Sequence, residues 1–338
     1  MKSLHFISLI LSMVLGMISC RKDKVIPTPS GDGECYSFGE LPPLNYFSNE
    51  RFQYQTPYFN PNNDNEFVFN YKDFELDEYK LMKYNIQTGV KTVLVENVKI
   101  ISQPKWSRKG WIAFDNVFNQ NYQIWVVKDN GDSLIQFTTN VANLFPVWDA
   151  VGDCLFWQHS PVLGIPSYFL KRDLFGTNLD TVLNSNDPSM GWVTYNDVTI
   201  DNLLISKTII GNQNHIGFTN LNSPNFVSLV SLDNLNLVGL EGLCWSKNSQ
   251  TAYFTIYKNG LYKLNVNNGT YTKLISFCDS KRYKSISCSS DGKKLIGERI
   301  DSYLVKDGDG NPTGQIMEKS HIYIIDLETL KETKINLE

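Results

Sequence analysis

The chain has 338 residues, 42% of them apolar and 13% aromatic, with 31 basic side chains against 35 acidic ones. That composition excludes a disordered chain and supports a sizeable buried core. The acidic balance, with no basic stripe interleaved with aromatics, excludes a nucleic-acid partner, because phosphate binding relies on Lys and Arg clusters.

The first element along the chain is an export signal. Lys2 gives a positive start, and Phe6 to Ile18 is a run of thirteen apolar or small residues, which suits a signal-peptide core and is too short to span a bilayer. It ends in Met17-Ile18-Ser19-Cys20, followed at once by charged Arg21-Lys22-Asp23-Lys24. This resembles a lipobox, at which signal peptidase II cuts before the cysteine, with Met17 where Leu is usual. The competing reading, a plain buried cysteine, is disfavoured by the charges that follow and by the lack of an A-x-A site. The resemblance implies that residues 1–19 are a signal peptide and that Cys20 is the lipid attachment site, anchored by several acyl chains. Arg21, which is not the retention-type Asp, implies the outer membrane, on its periplasmic side or at the cell surface. Removing residues 1–19 takes away Lys2 and no acid, so the mature balance is 30 basic to 35 acidic. No later stretch reaches 18 apolar residues, which leaves the lipid as the membrane contact. Residues 20–36 carry prolines, glycines and charges without periodicity and read as a flexible tether.

From residue 53 onward, short runs rich in Val, Ile, Phe, Tyr and Trp are broken by Asn, Asp and Gly clusters, with no sustained helical period. Aligning residues that precede a tight turn with an apolar residue eight positions later gives Phe59/Phe67, Trp106/Phe114, Trp148/Phe156, Asp197/Ile205, Trp245/Tyr253 and Cys288/Ile296, at steps of 47, 42, 49, 48 and 43 residues. A period of this size with four strands per unit is the signature of a propeller. The clearest copy is Gln103-Pro104-Lys105-Trp106-Ser107-Arg108-Lys109-Gly110, with Asp129-Asn130-Gly131 closing a second hairpin. Pro146-Val147-Trp148-Asp149, Cys244-Trp245-Ser246 and Ser289-Ser290-Asp291-Gly292 repeat it in part, and the fourth unit lacks both Trp and Ser. The pattern resembles the repeat of TolB-type propellers. The expected fold is therefore all-β: a six-bladed β-propeller of four-stranded antiparallel blades in a single domain, residues 37–338. The blades are placed at about 53–97, 101–139, 142–184, 192–234, 237–280 and 283–338.

Gly110, Gly152 and Gly292 are placed in the first hairpin of their units, and Gly89, Gly131 and Gly269 in the second, where positive φ is needed. The recurring Trp106, Trp148 and Trp245 are expected between blades as core and not as ligand platforms, because repeats cannot bury their faces alone.

Strand alternation puts the turns between second and third strands on the same face as the connections between blades, and that face carries the extensions. These are Lys72 to Glu78 in unit one, His159 to Ser167 in unit three and Asp301 to Ser320 in unit six. Long loops on a rigid scaffold are where binding concentrates. Asp73, Glu75, Asp77, His159, His215 and His321 are therefore candidate contact residues.

Asp307, Asp309, Asn311, Gln315 and Glu318 occupy positions 1, 3, 5, 9 and 12 of a calcium-type loop. Pro312 and Gly314 break that pattern, and the turn chemistry favours an elongated hairpin over calcium. The three mature histidines lie in units three, four and six, on strands about 4.8 Å apart from their neighbours and displaced from the axis, so a shared metal site is not expected. Some TolB-related propeller lyases hold a metal with histidines in the central channel, and these positions depart from that arrangement. No cofactor is expected apart from the calcium alternative.

Nucleophile elbow, zinc-protease and phosphate-loop signatures are missing, which argues against an enzyme. Acidic pairs such as Glu75/Asp77 read as solvated loop charges, since general acid–base work needs a dry pocket. Cys35, Cys154, Cys244, Cys278 and Cys288 remain beyond Cys20. Export permits disulfides, and Cys278 and Cys288 are placed on neighbouring strands, yet a core of this size needs none. Cys244 and Cys288 read as small buried hydrophobes.

Two functions stay open. One is a non-enzymatic, monomeric, lipid-anchored envelope module that binds a protein or peptidoglycan-associated partner through the extended face, as the resemblance to TolB implies. The other is a propeller that binds or acts on a carbohydrate or small ligand in its central channel. An apolar channel rim favours the first, and clustered carboxylates and histidines with Trp facing the channel favour the second.

Overall fold

The computed structural model describes residues 35–45, 51–118, 121–139, 142–160, 168–184, 194–210, 213–233, 239–246 and 250–338. Cys20 and nearly all of the tether lie outside them, as do residues 161–167 of the third unit's extension. After a short parallel strand, β1 (Pro43–Asn45), the chain builds six antiparallel sheets in sequence order. The first blade holds β2 (Phe52–Asn60), β3 (Asn63–Asp73), β4 (Glu78–Asn85) and β5 (Lys91–Glu96). The second holds β6 (Lys105–Trp106), β7 (Trp111–Phe118), β8 (Asn121–Lys128) and β9 (Ile135–Gln136). The third holds β10 (Ala142–Trp148), β11 (Cys154–Ser160), β12 (Tyr168–Asp173) and β13 (Asp180–Asn184). The fourth holds β14 (Thr194–Val198), β15 (Leu203–Ile210), β16 (Gln213–Asn220) and β17 (Ser223–Ser231). The fifth holds β18 (Leu240–Trp245), β19 (Thr251–Ile256), β20 (Gly260–Asn265) and β21 (Tyr271–Ser276). The sixth holds β22 (Lys281–Cys288), β23 (Lys294–Lys306), β24 (Pro312–Asp326) and β25 (Glu332–Lys334).

The first strands touch in a closed cycle, β2 to β6, β6 to β10, β10 to β14, β14 to β18, β18 to β22 and β22 back to β2. The molecule is thus a six-bladed ring with the first strand of each blade innermost. Second strands carry a buried apolar run, as in Phe67-Val68-Phe69, Ile112-Ala113-Phe114 and Ala252-Tyr253-Phe254, because each blade's sheet is covered on both faces by its neighbours. Outermost strands such as β21 are mostly exposed.

Among the described residues, six apolar clusters sit at the six junctions between neighbouring blades. Trp106 packs with Val68, Leu81 and Val95 of the first blade, Trp148 with Trp111 and Ile124 of the second, and Trp245 with Ile205 and Ile216 of the fourth. All three tryptophans are buried between blades, as their repetition implied. The six turn glycines have positive φ. At Gly152 the need is also steric, since a Cβ there would come within 3.0 Å of Ser107 Cβ and 3.1 Å of the Arg108 nitrogen.

A disulfide joins Cys35 to Cys278, which corrects the expectation that no bridge is needed. Cys278 lies in the connection after β21 and not on a strand beside Cys288. Its partner belongs to the segment ahead of the first blade, eight residues before the short strand β1. There the bridge acts together with Tyr36, whose N–H donates to Ser280 Oγ at 3.0 Å, and with β1, which pairs with Leu304–Lys306 of β23. Cys244 is buried, and Cys154 and Cys288 are partly buried free thiols.

Candidate functional site: the connection face and its channel

The face formed by the turns between second and third strands and by the links between blades is here called the connection face. Its largest projection is the β23–β24 hairpin. The two strands pair from Lys294↔Asp326 out to Lys306↔Pro312, beyond the length of any other blade hairpin. The turn is an Asx turn: Asp307 Oδ1 accepts the Asp309 and Asn311 N–H groups at 3.0 and 2.8 Å. Residues 308–315 are exposed. The five residues with calcium-loop spacing are thus split between a turn and a strand. Asp307, Asp309 and Asn311 are at the tip, whereas Gln315 and Glu318 lie on β24, and both Glu318 oxygens accept from Arg282, at 2.7 and 3.0 Å. Among the described residues no group of three or more His, Cys, Asp or Glu side chains is placed to hold a metal ion.

On the first blade Asp73 is a structural anchor. It accepts the Arg51 guanidinium at 3.2 and 3.0 Å and the N–H groups of Glu75 and Leu76 at 2.9 and 3.3 Å. The Arg51 hydrogen bond is the main cause holding its carboxyl below the usual range. Glu75 pairs with the other end of Arg51 at 3.0 Å, and Asp77 takes φ 49° to turn the chain. The loop they shape exposes Phe74 and Leu76.

The histidines are dispersed. His159 meets Asn143 Oδ1 at 3.0 Å, and burial lowers its pKa. His215 meets Ser228 Oγ at 2.8 Å, and His321 lies 3.4 Å from Lys334 Nζ. His321 is mid-strand, since β24 begins as early as Pro312.

The groups that do converge come from the inner strands. In β2, β10, β14, β18 and β22 the register with the second strand slips, between Gln55/Tyr58, Leu144/Val147, Thr194/Asp197, Leu240/Gly242 and Lys284/Ser287. These bulges put non-glycine residues at positive φ, Thr56 at 50°, Phe145 at 55° and Ser285 at 47°. A bulge re-aims the side chains around it, and here Gln55, Thr56, Phe145, Asn196, Glu241, Gly242 and Ser285 line a cavity of about 460 Å³ at the connection-face mouth of the channel. Asp115 fixes its rim by accepting the N–H groups of Ile101 and Ser102 at 2.9 and 3.0 Å.

Lys105 closes the waist. It lines both this cavity and a recess of about 80 Å³ at the opposite mouth, where Trp106, Trp148 and Trp245 also contribute. Its ammonium donates to Gln103 Oε1 at 2.9 Å and to the Asn196 carbonyl at 2.7 Å, and lies 4.7 Å from the Tyr58 ring centre. Burial lowers its pKa, opposed by Asp197. Gln103 Nε2 in turn donates to the Pro57 and Ser285 carbonyls at 2.6 and 3.0 Å, tying together three blades.

Two carboxylates face the cavity. Glu298, 2% exposed, accepts Ser320 Oγ at 2.8 Å and the Thr56 N–H at 3.1 Å. Glu241 Oε1 accepts Arg282 Nε at 3.1 Å. Burial raises both pKa values, opposed at Glu298 by those hydrogen bonds and at both sites by Arg282 and Lys284. Glu241, Lys284, Glu298 and Asn70 were not among the residues expected to matter. The sequence signal for Glu298 is a charge inside the apolar run Leu295-Ile296-Gly297-Glu298-Arg299-Ile300.

A closed ring of six four-stranded blades, with a polar cavity at one mouth, defines a six-bladed β-propeller. No family model matches the sequence, and no curated protein does. Among solved structures the chain is similar to TolB from Acinetobacter baumannii, at 13% identity and a TM-score of 0.54 over 64% of this chain and 53% of that one. It is also similar to a chain of a nidogen/laminin complex, at 12% and 0.56 over 75% and 88%. An oligogalacturonate lyase in complex with manganese matches at 11% and 0.50 over 84% and 77%. The chain spans about half the length of the TolB chain it matches. Identities this low carry the fold alone, and the fold is TolB-like.

Proposed function

We propose that this chain is a lipid-anchored binding module of the cell envelope, attached through Cys20, which presents its connection face to a protein or peptidoglycan-associated partner. The observation that carries this reading is the long β23–β24 hairpin standing out beside the channel mouth. Exposed apolar side chains on the same face support it: Phe74, Leu76, Ile101, Tyr257 and Ile316. Of these, Phe74 and Leu76 stand together on one loop, and neighbouring apolar groups left in water favour contact with another surface.

The test is crosslinking in intact envelopes with an affinity tag behind Glu338, comparing the wild type with a variant lacking residues 308–314, which shortens the hairpin tip and spares β1 pairing. One specific species captured by the wild type and lost from the variant is expected. Capture unchanged by the deletion removes the hairpin from the reading, and no specific capture removes the partner. The anchor is tested separately by fractionation: Cys20→Ser is expected to move the protein from the membrane to the soluble fraction, and full retention would refute attachment there.

A second reading has its own support in the cavity at the same mouth. Its lining mixes Glu241, Glu298, Lys284 and Lys105 with Ile101, Phe145, Pro146 and Leu243, which suits a small ligand that carries both polar and apolar parts.

A further inference from the structure

In the sixth blade the outer strand falls far short of the third. β24 runs for 15 residues, and β25 pairs with residues 323–325 of it. The Ile335 N–H then donates to the Ile322 carbonyl at 2.9 Å, and the chain leaves for the first blade, where the Leu337 carbonyl meets Tyr54. Among the described residues, therefore, no strand lies on the outer side of residues 312–321. In an antiparallel strand the N–H and C=O of one residue point to the same side, and successive residues alternate. Ile322 and Asp326 direct theirs toward the β25 side, so Ile316, Glu318 and Ser320 direct theirs to the open edge. Those N–H and C=O groups have no backbone partner among the described residues.

A row of backbone donors and acceptors open to water is chemically specific, because what completes it is another extended backbone. The same hairpin already takes one such strand: its other edge, residues 304–306 of β23, is covered by β1 from a distant part of the chain. Side chains beside the open edge define what is added. Successive side chains point to opposite faces of the sheet. On the face toward the first blade Ser320 Oγ donates to the Tyr54 carbonyl at 3.2 Å, and Ile316 is exposed. On the other face lie Lys319 and His321, with Lys334 Nζ 3.4 Å from His321. There Lys281, Arg299, Lys319 and Lys334 outnumber the carboxylates Asp301 and Glu332, which already pair with Arg299 and Lys281. That balance favours acidic side chains on this face of an added strand and apolar ones beside Ile316. A second copy of the chain fits badly, since antiparallel pairing of two β24 edges keeps like faces together and sets Lys319 and His321 of both copies on one side.

We propose that the outer edge of β24, residues 316–320, takes up an extended segment of a partner protein as an added strand of the sixth blade, with acidic and apolar side chains alternating along that segment. The inference rests on the proposed function, that the connection face binds a partner, and names how the partner is held.

The test is fluorescence anisotropy on the full-length chain in detergent, with labelled, end-capped peptides of about nine residues. One alternates valine and glutamate, a second has lysine for glutamate, and two more carry the first sequence with either its valines or its glutamates N-methylated. Main-chain hydrogen bonds supply the affinity in strand addition, so a generic strand serves as the probe. Saturable binding of the valine–glutamate peptide is expected. Lysine for glutamate and N-methylation of the valines are each expected to weaken it by on the order of tenfold or more, and N-methylation of the glutamates, whose nitrogens point away from β24, far less. Ile316→Pro removes one outward N–H and spares the pairing with β23. It is expected to weaken the peptide by on the order of tenfold, whereas Ile316→Val binds as the wild type does, with thermal midpoints confirming that both variants fold. No saturable binding up to ~1 mM, or binding indifferent to both N-methylated valine and Ile316→Pro, would overturn the added strand. A doubled mass by light scattering without peptide, lost in Ile316→Pro, would give the edge to a second copy and overturn it too. Envelope crosslinking separates this inference from the reading it rests on. Capture lost on removing residues 308–314 but kept by Ile316→Pro overturns the added strand and leaves the binding module, and no capture by the wild type overturns both.

Discussion

Burial decides how individual side chains behave here, and two groups make that measurable. The free thiols of Cys154 and Cys288 are both pushed up to about 12, chiefly by burial, and burial raises Cys244 strongly as well. A thiol with a pKa near 12 has about one molecule in ten thousand as reactive thiolate at pH 8. Alkylation by iodoacetamide at pH 8, followed by peptide mass mapping, is therefore expected to leave all three unmodified in the native chain and to label them fully in urea. Rapid native labelling at any of them would contradict the burial described. Glu298 gives a pH test with a definite sign. Its folded pKa lies above its unfolded value near 4.5, so its stabilising share is complete below that value and is lost as pH rises through the folded pKa. Glu298→Gln removes this titration at a pH-independent cost for the altered hydrogen bonds. Urea midpoints at pH 4 to 8 are expected to shift steadily in the variant's favour relative to wild type, and a constant gap would disprove the raised pKa. The role of Trp106 was legible in the sequence because Trp148 and Trp245 recur at the same place in the third and fifth blades, and such recurrence marks packing. Asn70 and Glu241 were not, because each occurs once, in a different blade, and only the bulges of the inner strands bring them to one cavity.

Blades were readable as elements because each repeats the same physical solution, a second strand with an apolar run buried on both faces, and all but the fourth reverse the chain at a glycine of positive φ. The register slips in the inner strands left no such trace, since Thr56, Phe145 and Ser285 share no residue type although they share a backbone conformation. The strap ahead of the first blade was also invisible. Cys35 and Cys278 are 243 residues apart, and what aligns them is the parallel pairing of β1 with the projecting end of β23. That arrangement makes a prediction at this scale. Reducing the bridge frees a loop spanning most of the chain, and such a crosslink contributes about 2–4 kcal/mol. Dithiothreitol is expected to lower the wild-type thermal midpoint by several degrees, to the level of a Cys35→Ser, Cys278→Ser double variant, which itself does not respond to reductant. A wild type indifferent to reductant would mean that β1 and Tyr36 hold the strap unaided.

At the scale of the whole molecule the question is what keeps the ring shut. The two ends of the chain meet in the sixth blade's sheet only through the short strand β1, which pairs with the projecting end of β23; the four-stranded blades β2 to β5 and β22 to β25 are separate. Between the first and sixth blades themselves the junction is closed by apolar packing and by hydrogen bonds that each involve a side chain. Tyr54, Phe67 and Phe69 pack against Ile296, Ile322 and Leu337 there. The last residues act as the fastening. The Leu337 carbonyl accepts Tyr54 Oη at 3.0 Å and Lys91 Nζ at 2.8 Å, and the Asn336 carbonyl accepts Tyr84 Oη at 3.3 Å. Removing residues 335–338 deletes the buried Leu337 side chain and the two carbonyls to which the Tyr54 and Tyr84 hydroxyls donate. The expected loss is about 2–5 kcal/mol, from a cavity the size of a leucine. Because neighbouring blades support one another and distant ones do not touch, the loss is expected to be local at first. Hydrogen exchange in the truncated chain should accelerate in β2, β3, β23 and β24, whereas β11 and β15, on the far side of the ring, keep their wild-type protection. Equal acceleration in all six blades would instead mean that the ring opens only by global unfolding, and unchanged exchange would mean that the tail is not its fastening.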